Sequence, residues 1–162
     1  MPGDRPPRER PHRLSDERYL GQISVALTCC VQHRRKLFTA PQVVSVFHEM
    51  LISATEREQT VVALYCFMPD HLHLILTGQT ASARPLKAAD RFKQLTGFWL
   101  AQNGSAFRWQ KGFYDHIIRS EEEFWDQVYY VLNNPIRAGL VEEWPQYPFI
   151  GSSLWTIEEL VG

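Results

Sequence analysis

The chain has 162 residues, 44% of them hydrophobic and 22% charged, and a formal net charge of -1. That length suits one domain with a core of its own, and no apolar run approaches the ~20 residues of a membrane span. The Arg- and Pro-rich start lacks the apolar segment of a secretory signal, and the near-neutral charge gives no global attraction for nucleic acid. Three cysteines, with Cys29 and Cys30 adjacent, suit a reducing compartment better than a disulfide framework. Without a Cys-x-x-Cys spacing, a structural zinc site built on thiolates is not expected. The cytoplasm is the expected location.

Residues 1–17 mix Pro and Arg with almost no large apolar side chains, which predicts a flexible arm ahead of a single domain over 18–162. From Tyr19 to Cys30, Ile23, Val25, Leu27 and Cys29 alternate with Ser24, Ala26, Thr28 and Cys30, the pattern of a first strand. Val31 to Lys36 reads as a polar connection. Thr39-Ala40-Pro41-Gln42 has the spacing of a capping box with Pro in the first turn. Val44, Phe47, Leu51 and Ala54 then follow at helical intervals to about Glu58.

Thr60 to Phe67 is rich in β-formers and predicts a second strand, which Pro69-Asp70 turns into a third, His71-Leu72-His73-Leu74-Ile75-Leu76. Gly78 to Ala83 is loop. Leu86, Ala89, Phe92, Leu95, Trp99 and Leu100 mark a second amphipathic helix stopped by Asn103-Gly104. Phe113 to Arg119 predicts a fourth strand, and Ser120-Glu121-Glu122-Glu123 opens a third helix that reaches Asn133 or Asn134 before Pro135. The segment from Trp144 to Trp155 is expected to pack back on the domain. Strand, helix, strand, strand, helix, strand is the split βαβ or ferredoxin-like order: an antiparallel sheet with helices on one face, here followed by one more helix. The fold class is α+β.

The third strand carries the first chemical signal. Side chains alternate along a strand, so Leu72, Leu74 and Leu76 are expected to face the helices while His71 and His73 share the other face, open to ligands. Two imidazoles about 6–7 Å apart at the backbone can converge on one divalent metal. The third helix carries the second signal. At roughly 100° per residue, Phe124, Trp125, Val128, Val131 and Leu132 gather on one side. Asp126, Gln127, Tyr130, Asn133 and Asn134 gather on the other. Tyr130 falls in the middle of the polar stripe, Tyr129 at the edge of the apolar one, and Asn134 lies one turn beyond Tyr130 if the helix persists.

A phenol is a poor nucleophile at neutral pH, but it becomes useful where a bound cation polarises a phosphoryl group. Tyr130, His71, His73 and a carboxamide therefore suggest metal-assisted phosphoryl transfer, with Mg²⁺ or Mn²⁺ as the hard cation. For Asn134, ligation and simple capping before Pro135 both fit. Local basic groups, Arg34-Arg35-Lys36, Arg91 and Lys93, and the loop Arg108, Trp109 and Lys111, are candidate nucleic-acid contacts. Trp109 suits either stacking on unpaired bases or burial in the core.

Several stretches resemble a known family. Met68-Pro69-Asp70-His71-Leu72-His73-Leu74 resembles the HUH motif (His, large apolar, His) of single-tyrosine DNA transposases. The run from Gly112 to Glu122 is similar to that family's segment before the tyrosine helix. Tyr130-Val131-Leu132-Asn133-Asn134-Pro135-Ile136-Arg137-Ala138-Gly139-Leu140-Val141 is similar to the signature of its REP-associated branch, and Tyr147 to Ser153 to its tail.

The likeness covers residues 20 to 155. It implies an HUH nuclease fold and cleavage and rejoining of single-stranded DNA near palindromic hairpins. It further implies a 5′-phosphotyrosine intermediate, Mg²⁺ or Mn²⁺ dependence, and a nucleoid-associated bacterial protein acting as monomer or homodimer. Under it, His71 and His73 are metal ligands, Tyr130 is the nucleophile and Asn134 a third ligand. The alternatives are a hairpin-DNA binding protein with an idle site, or an unrelated small metal-binding α+β protein. A histidine-triad hydrolase would need a further histidine where Ile75 stands.

Overall fold

In the computed structural model, residues 19–161 are described, so the predicted arm over 1–17, with its arginines, lies outside the described residues. Five strands form one antiparallel sheet: β1 (Ser24–Cys30), β2 (Thr60–Met68), β3 (His71–Gly78), β4 (Tyr114–Ile118) and β5 (Ile150–Gly151), in the order β4-β1-β3-β2-β5. The helices are α1 (Pro41–Arg57), α2 (Pro85–Gln102), α3 (Glu121–Leu132), the single turn α4 (Asn134–Arg137) and α5 (Ile157–Val161). The first four strands, with α1 and α2, make the ferredoxin-like unit, and β5 adds to the edge of β2. Among the described residues no helix is long and apolar enough to cross a membrane.

Alternation along β3 divides the molecule. Leu72, Leu74 and Leu76 enter a core with Val44, Phe47 and Leu51 of α1 and Ala88, Ala89 and Phe92 of α2. Phe47 is wholly buried and meets the rings of Phe38, Phe92, Trp99 and Trp109 at centroid distances of 5.4, 6.2, 5.9 and 6.0 Å. Truncating such a side chain removes its burial and leaves a cavity, so Phe47→Ala is expected to lose about 3–5 kcal/mol, read from urea unfolding.

The second face is not open. Ile75 lies in a smaller core with Leu64, Cys66, Val128, Val131, Leu132 and Tyr147, formed where α3 and the tail cross the sheet. The apolar stripe of α3 dictates this: Val128, Val131 and Leu132 have to bury somewhere, and α1 and α2 already fill the other face. Tyr147 fixes the tail by donating its hydroxyl to Phe67 O. The face expected to be available for ligands is therefore half covered, and His71 beneath it is only 5% exposed.

Local signals fare unevenly. Ser120 caps α3 by accepting from the Glu123 N–H (3.1 Å), while the Glu123 carboxylate accepts from the Arg119 N–H (2.8 Å). The expected box at Thr39 does not form. With Pro41 as the first helical residue, the cap position falls on Ala40, which has no side-chain acceptor. The connection after β1 turns sharply, with His33 and Arg34 at φ 59° and 54°. Left-handed backbone is uncommon for such residues and persists only where surrounding contacts hold it.

Candidate active site

His71 and His73 project from the central strand of the sheet, flanked by β1 and β2, toward α3. Their Nε2 atoms face each other 3.1 Å apart, and their other ring nitrogens are taken. His71 Nδ1 lies 2.6 Å from Asp70 Oδ1 and His73 Nδ1 lies 3.1 Å from Thr28 Oγ1. The carboxylate fixes the His71 tautomer: Nδ1–H donates to Asp70, leaving a lone pair on Nε2. Arg34 completes the chain by donating its Nε–H to Asp70 Oδ2 at 2.9 Å. Burial works against the charged Asp70 carboxylate, but the hydrogen bonds from His71 and Arg34 outweigh it and hold its pKa at about 2. Burial above all, with the positive charges of Arg137 and Arg34 nearby, lowers His73 to about 3, so its imidazole is neutral at neutral pH.

With each Nδ1 engaged by Asp70 or Thr28, the two Nε2 positions 3.1 Å apart are left to share a proton or a cation between them. Two donors bound cis to one octahedral ion at about 2.1 Å would stand about 3 Å apart, so the pair fits a single divalent cation. Among the described residues no group of three or more His, Cys, Asp or Glu could hold a metal. The remaining protein donor is Asn134, 7% exposed, whose Nδ2 donates to His71 Nε2 at 3.4 Å. Turning its amide would bring Oδ1 to the same place. Asn134 arrives by a route different from the expected one. α3 ends at Leu132, and Asn134 opens the separate turn α4, where Pro135 is tolerated in the first turn.

Tyr130 stands beside the pair, its ring 6.1 Å from that of His73 and nearly perpendicular to it, and the residue is 50% exposed. The Arg137 guanidinium lies over its face at 4.3 Å and donates to Tyr130 O at 2.8 Å and to Asn134 Oδ1 at 3.3 Å. Tyr129, the neighbour, turns to the Trp125 ring instead, at 6.3 Å. All three residues, His71, His73 and Tyr130, line one cleft of about 440 Å³ together with Arg34, Gln127 and His116. His116 Nε2 is hydrogen-bonded to the Glu123 carboxylate.

Of the eight candidate nucleic-acid contacts, only Arg34 lines this cleft. Arg35 lies over the Phe107 ring at 4.5 Å and donates to Ala106 O, and Lys36, Arg108 and Lys111 are exposed. For Trp109, packing on the core is the alternative that the structure favours: its indole N–H donates to Thr96 Oγ1 at 2.8 Å and its ring sits among Phe38, Phe47 and Phe92. Lys93 is a correction: it donates to Gln110 O and Gly112 O and ties down the loop before β4. Arg91, paired with Glu58 at 3.6 Å, is on α2, across the sheet from the histidines.

Asp70, Thr28 and Arg137 were not singled out as site residues from the sequence. Asp70 was legible only as half of a Pro-Asp turn, yet a carboxylate next to a metal-type histidine is a common orienting group. Thr28 could have been found from strand register, since it pairs with His73. The cysteines take no part. All three are buried, and burial pushes Cys29 up to about 12.

An Escherichia coli K12 protein described as a REP-associated tyrosine transposase is 23% identical over 122 residues, 75% of this chain and 72% of that protein. A Haemophilus influenzae protein provisionally given the same description is 27% identical over 100 residues. That match takes in 52% of this chain and 56% of the relative, so the chain spans little more than half the length of that protein. In fold, the chain is similar to the solved structure of a REP-associated tyrosine transposase bound to a REP hairpin. The TM-score is 0.74 at 20% identity, covering 88% of this chain and 82% of that one. Residues 20–134 match the family model described as "Transposase IS200 like". That span, well over half the chain, runs from the approach to β1 through both histidines and Tyr130 to Asn134, and so the chain belongs to the IS200-like transposase family.

Proposed function

We propose that the protein cuts and rejoins single-stranded DNA beside hairpins, with Tyr130 as nucleophile and a divalent cation, Mg²⁺ or Mn²⁺, held by His71, His73 and Asn134. The observation that carries this is the meeting of two elements: two Nε2 atoms 3.1 Å apart on β3, and the Tyr130 ring of α3 6.1 Å from His73. When bound, the cation would supply charge stabilisation at the phosphoryl oxygens. The rest is done by the chain. Asp70 and Thr28 fix both imidazole orientations, and Arg137 holds the Tyr130 ring. Arg34 brings a positive charge to the cleft where a phosphodiester would lie.

In the reaction, Tyr130 Oη gives up its proton and bonds to phosphorus as the bond from phosphorus to the 3′ oxygen breaks, and the departing oxygen takes up one proton from water to become a 3′-hydroxyl, so that the proton released by the phenol is balanced. The 5′-phosphotyrosine conserves the bond energy, so a second 3′-hydroxyl can displace the tyrosine and rejoin the strand. A hairpin as the recognised element is supported by the related REP transposase, which was solved on a REP hairpin. The test is incubation with hairpin-bearing single-stranded oligonucleotides and Mg²⁺ or Mn²⁺, followed by denaturing electrophoresis. A covalent adduct is expected; hairpin binding with no adduct under either metal would favour an idle binder.

A substitution behind His71 gives a finer check. Asp70→Asn keeps the size of the side chain but removes the charge that fixes the His71 tautomer, and a loss of about 10–100-fold in metal affinity is expected. Titration of Mn²⁺ by calorimetry measures it, and unchanged affinity would remove Asp70 from the account.

A further inference from the structure

α3 touches the sheet at its two ends and bridges a gap between them. At one end Glu123 meets His116 of β4; at the other, Tyr130 faces His73 and Asn134 reaches His71. Glu123, Gln127 and Tyr130 stand at i, i+4 and i+7, on one face of the helix. The apolar side of the same helix leans the other way, packing Val128, Val131 and Leu132 with Leu64, Cys66 and Ile75 of β2 and β3. Ile118 of β4 joins that packing, and the space left under the helix lies above Ala26 and Thr28 of β1 and beside Tyr114 and His116 of β4.

The sheet below the gap is built from small side chains. Ala26 of β1 stands between His116 of β4 and Ile75 of β3 in the register, and Thr28 between Tyr114 and His73. Residues directly opposite each other share a face, so Ala26 and Thr28 form a floor with little bulk. The cleft of about 440 Å³ opens above them, at the small end of the range of about 300–1,000 Å³ usual for pockets that take one organic group.

Its chemistry is specific. The rings of Tyr130 and His116 border it. The His116 ring is held at the rim by its hydrogen bond to the Glu123 carboxylate. The Gln127 side chain, half-buried, makes no hydrogen bond to any of the described residues and lines the same space. A carboxamide offers a donor and an acceptor side by side, which matches the adjacent donor and acceptor on the edge of a base. Rings beside a narrow slot suit stacking, worth about 1–3 kcal/mol per base.

We propose that this cleft is a pocket for one unpaired nucleobase, from a nucleotide flanking the phosphate that Tyr130 attacks, with Gln127 reading its edge and Ala26 leaving it room. The placement of the phosphate rests on the proposed role of Tyr130; the pocket itself does not. A base inside a duplex cannot enter, so the pocket selects single strands at the point of cutting.

The experiment uses hairpin oligonucleotides carrying 2-aminopurine at successive unpaired positions, titrated with the full chain in EDTA so that no cutting occurs. One position is expected to change its fluorescence at least ~2-fold on binding, and Ala26→Leu, which fills the floor, should suppress that change at least ~5-fold. Gln127→Ala, a milder change at a half-buried site, should reduce it too. Ala26→Leu should weaken binding of an oligonucleotide that carries the unpaired flank by ~5-fold or more, while a hairpin trimmed of that flank should bind both variants within ~3-fold of the unsubstituted chain, because phosphate and hairpin contacts lie elsewhere. A response spread over all positions, or one unchanged in both variants, overturns the pocket. A single-position response without any adduct under Mg²⁺ or Mn²⁺ would uphold the pocket and sink the nuclease reading. An adduct with no localised response would do the reverse.

Discussion

Tyr130→Phe is expected to abolish the covalent protein–DNA adduct while leaving hairpin binding intact. The substitution removes one oxygen from a half-exposed ring whose position is set by Arg137 above it and His73 beside it, so the fold has little to lose. The reaction loses its nucleophile. Removing such a group costs on the order of 10³-fold or more, about 4 kcal/mol or more of barrier, which puts residual adduct below detection in a gel assay. Tyr129→Phe is the internal control. That ring turns toward Trp125 and lines no part of the cleft, so its adduct should form at the wild-type rate. An adduct that persists in Tyr130→Phe would end the assignment.

The second large effect is expected at the histidines. His71→Ala and His73→Ala each delete one of the two converging Nε2 atoms, and each should lower cleavage by about 10²-fold or more, in line with loss of a metal ligand. Hairpin affinity should move only a few-fold, since contacts to the DNA backbone and hairpin position the substrate from other surfaces. His71 is the more demanding case. Its loss leaves buried Asn134 and the Asp70 carboxylate short of a partner, and an unsatisfied buried group costs about 1–3 kcal/mol. Melting temperatures are therefore measured alongside, and His73→Ala, paired only to Thr28 through its second nitrogen, carries the cleaner kinetic comparison. Full cleavage by both variants would remove the metal from the mechanism.

Much of this arrangement is written in periodicity. The alternation of β3 put Leu72, Leu74 and Leu76 in the main core and the histidines on the other face, and the helix wheel separated Tyr130 from Tyr129. These signals survive because each depends on one element and one burial decision. What failed required knowing how elements stack. The Val128, Val131 and Leu132 stripe was visible, but the face it would cover was not, so the histidine face was expected to be open. The aromatic loop carrying Trp109 gave no periodic cue, and its ring found the core around Phe47. Lys93 and Arg91 sit in a basic cluster by sequence, yet one ties down a loop and the other pairs with Glu58. Asn134 was expected as a continuation of α3; the break at Asn133 and the new turn α4 deliver it to His71 all the same. Cross-strand partners such as Thr28 depend on register, which one strand alone does not specify.

Everything proposed for the cleft turns on the phenol of Tyr130, and no other group, taking the phosphate. Mass spectrometry of the proteolysed adduct reads out which side chain carries it. A single modified peptide is expected, with fragments that place the 5′-phosphorylated nucleotide on Tyr130. Modification on Tyr129, Tyr114 or any other residue, or cleaved DNA with no protein-bound nucleotide, would contradict it.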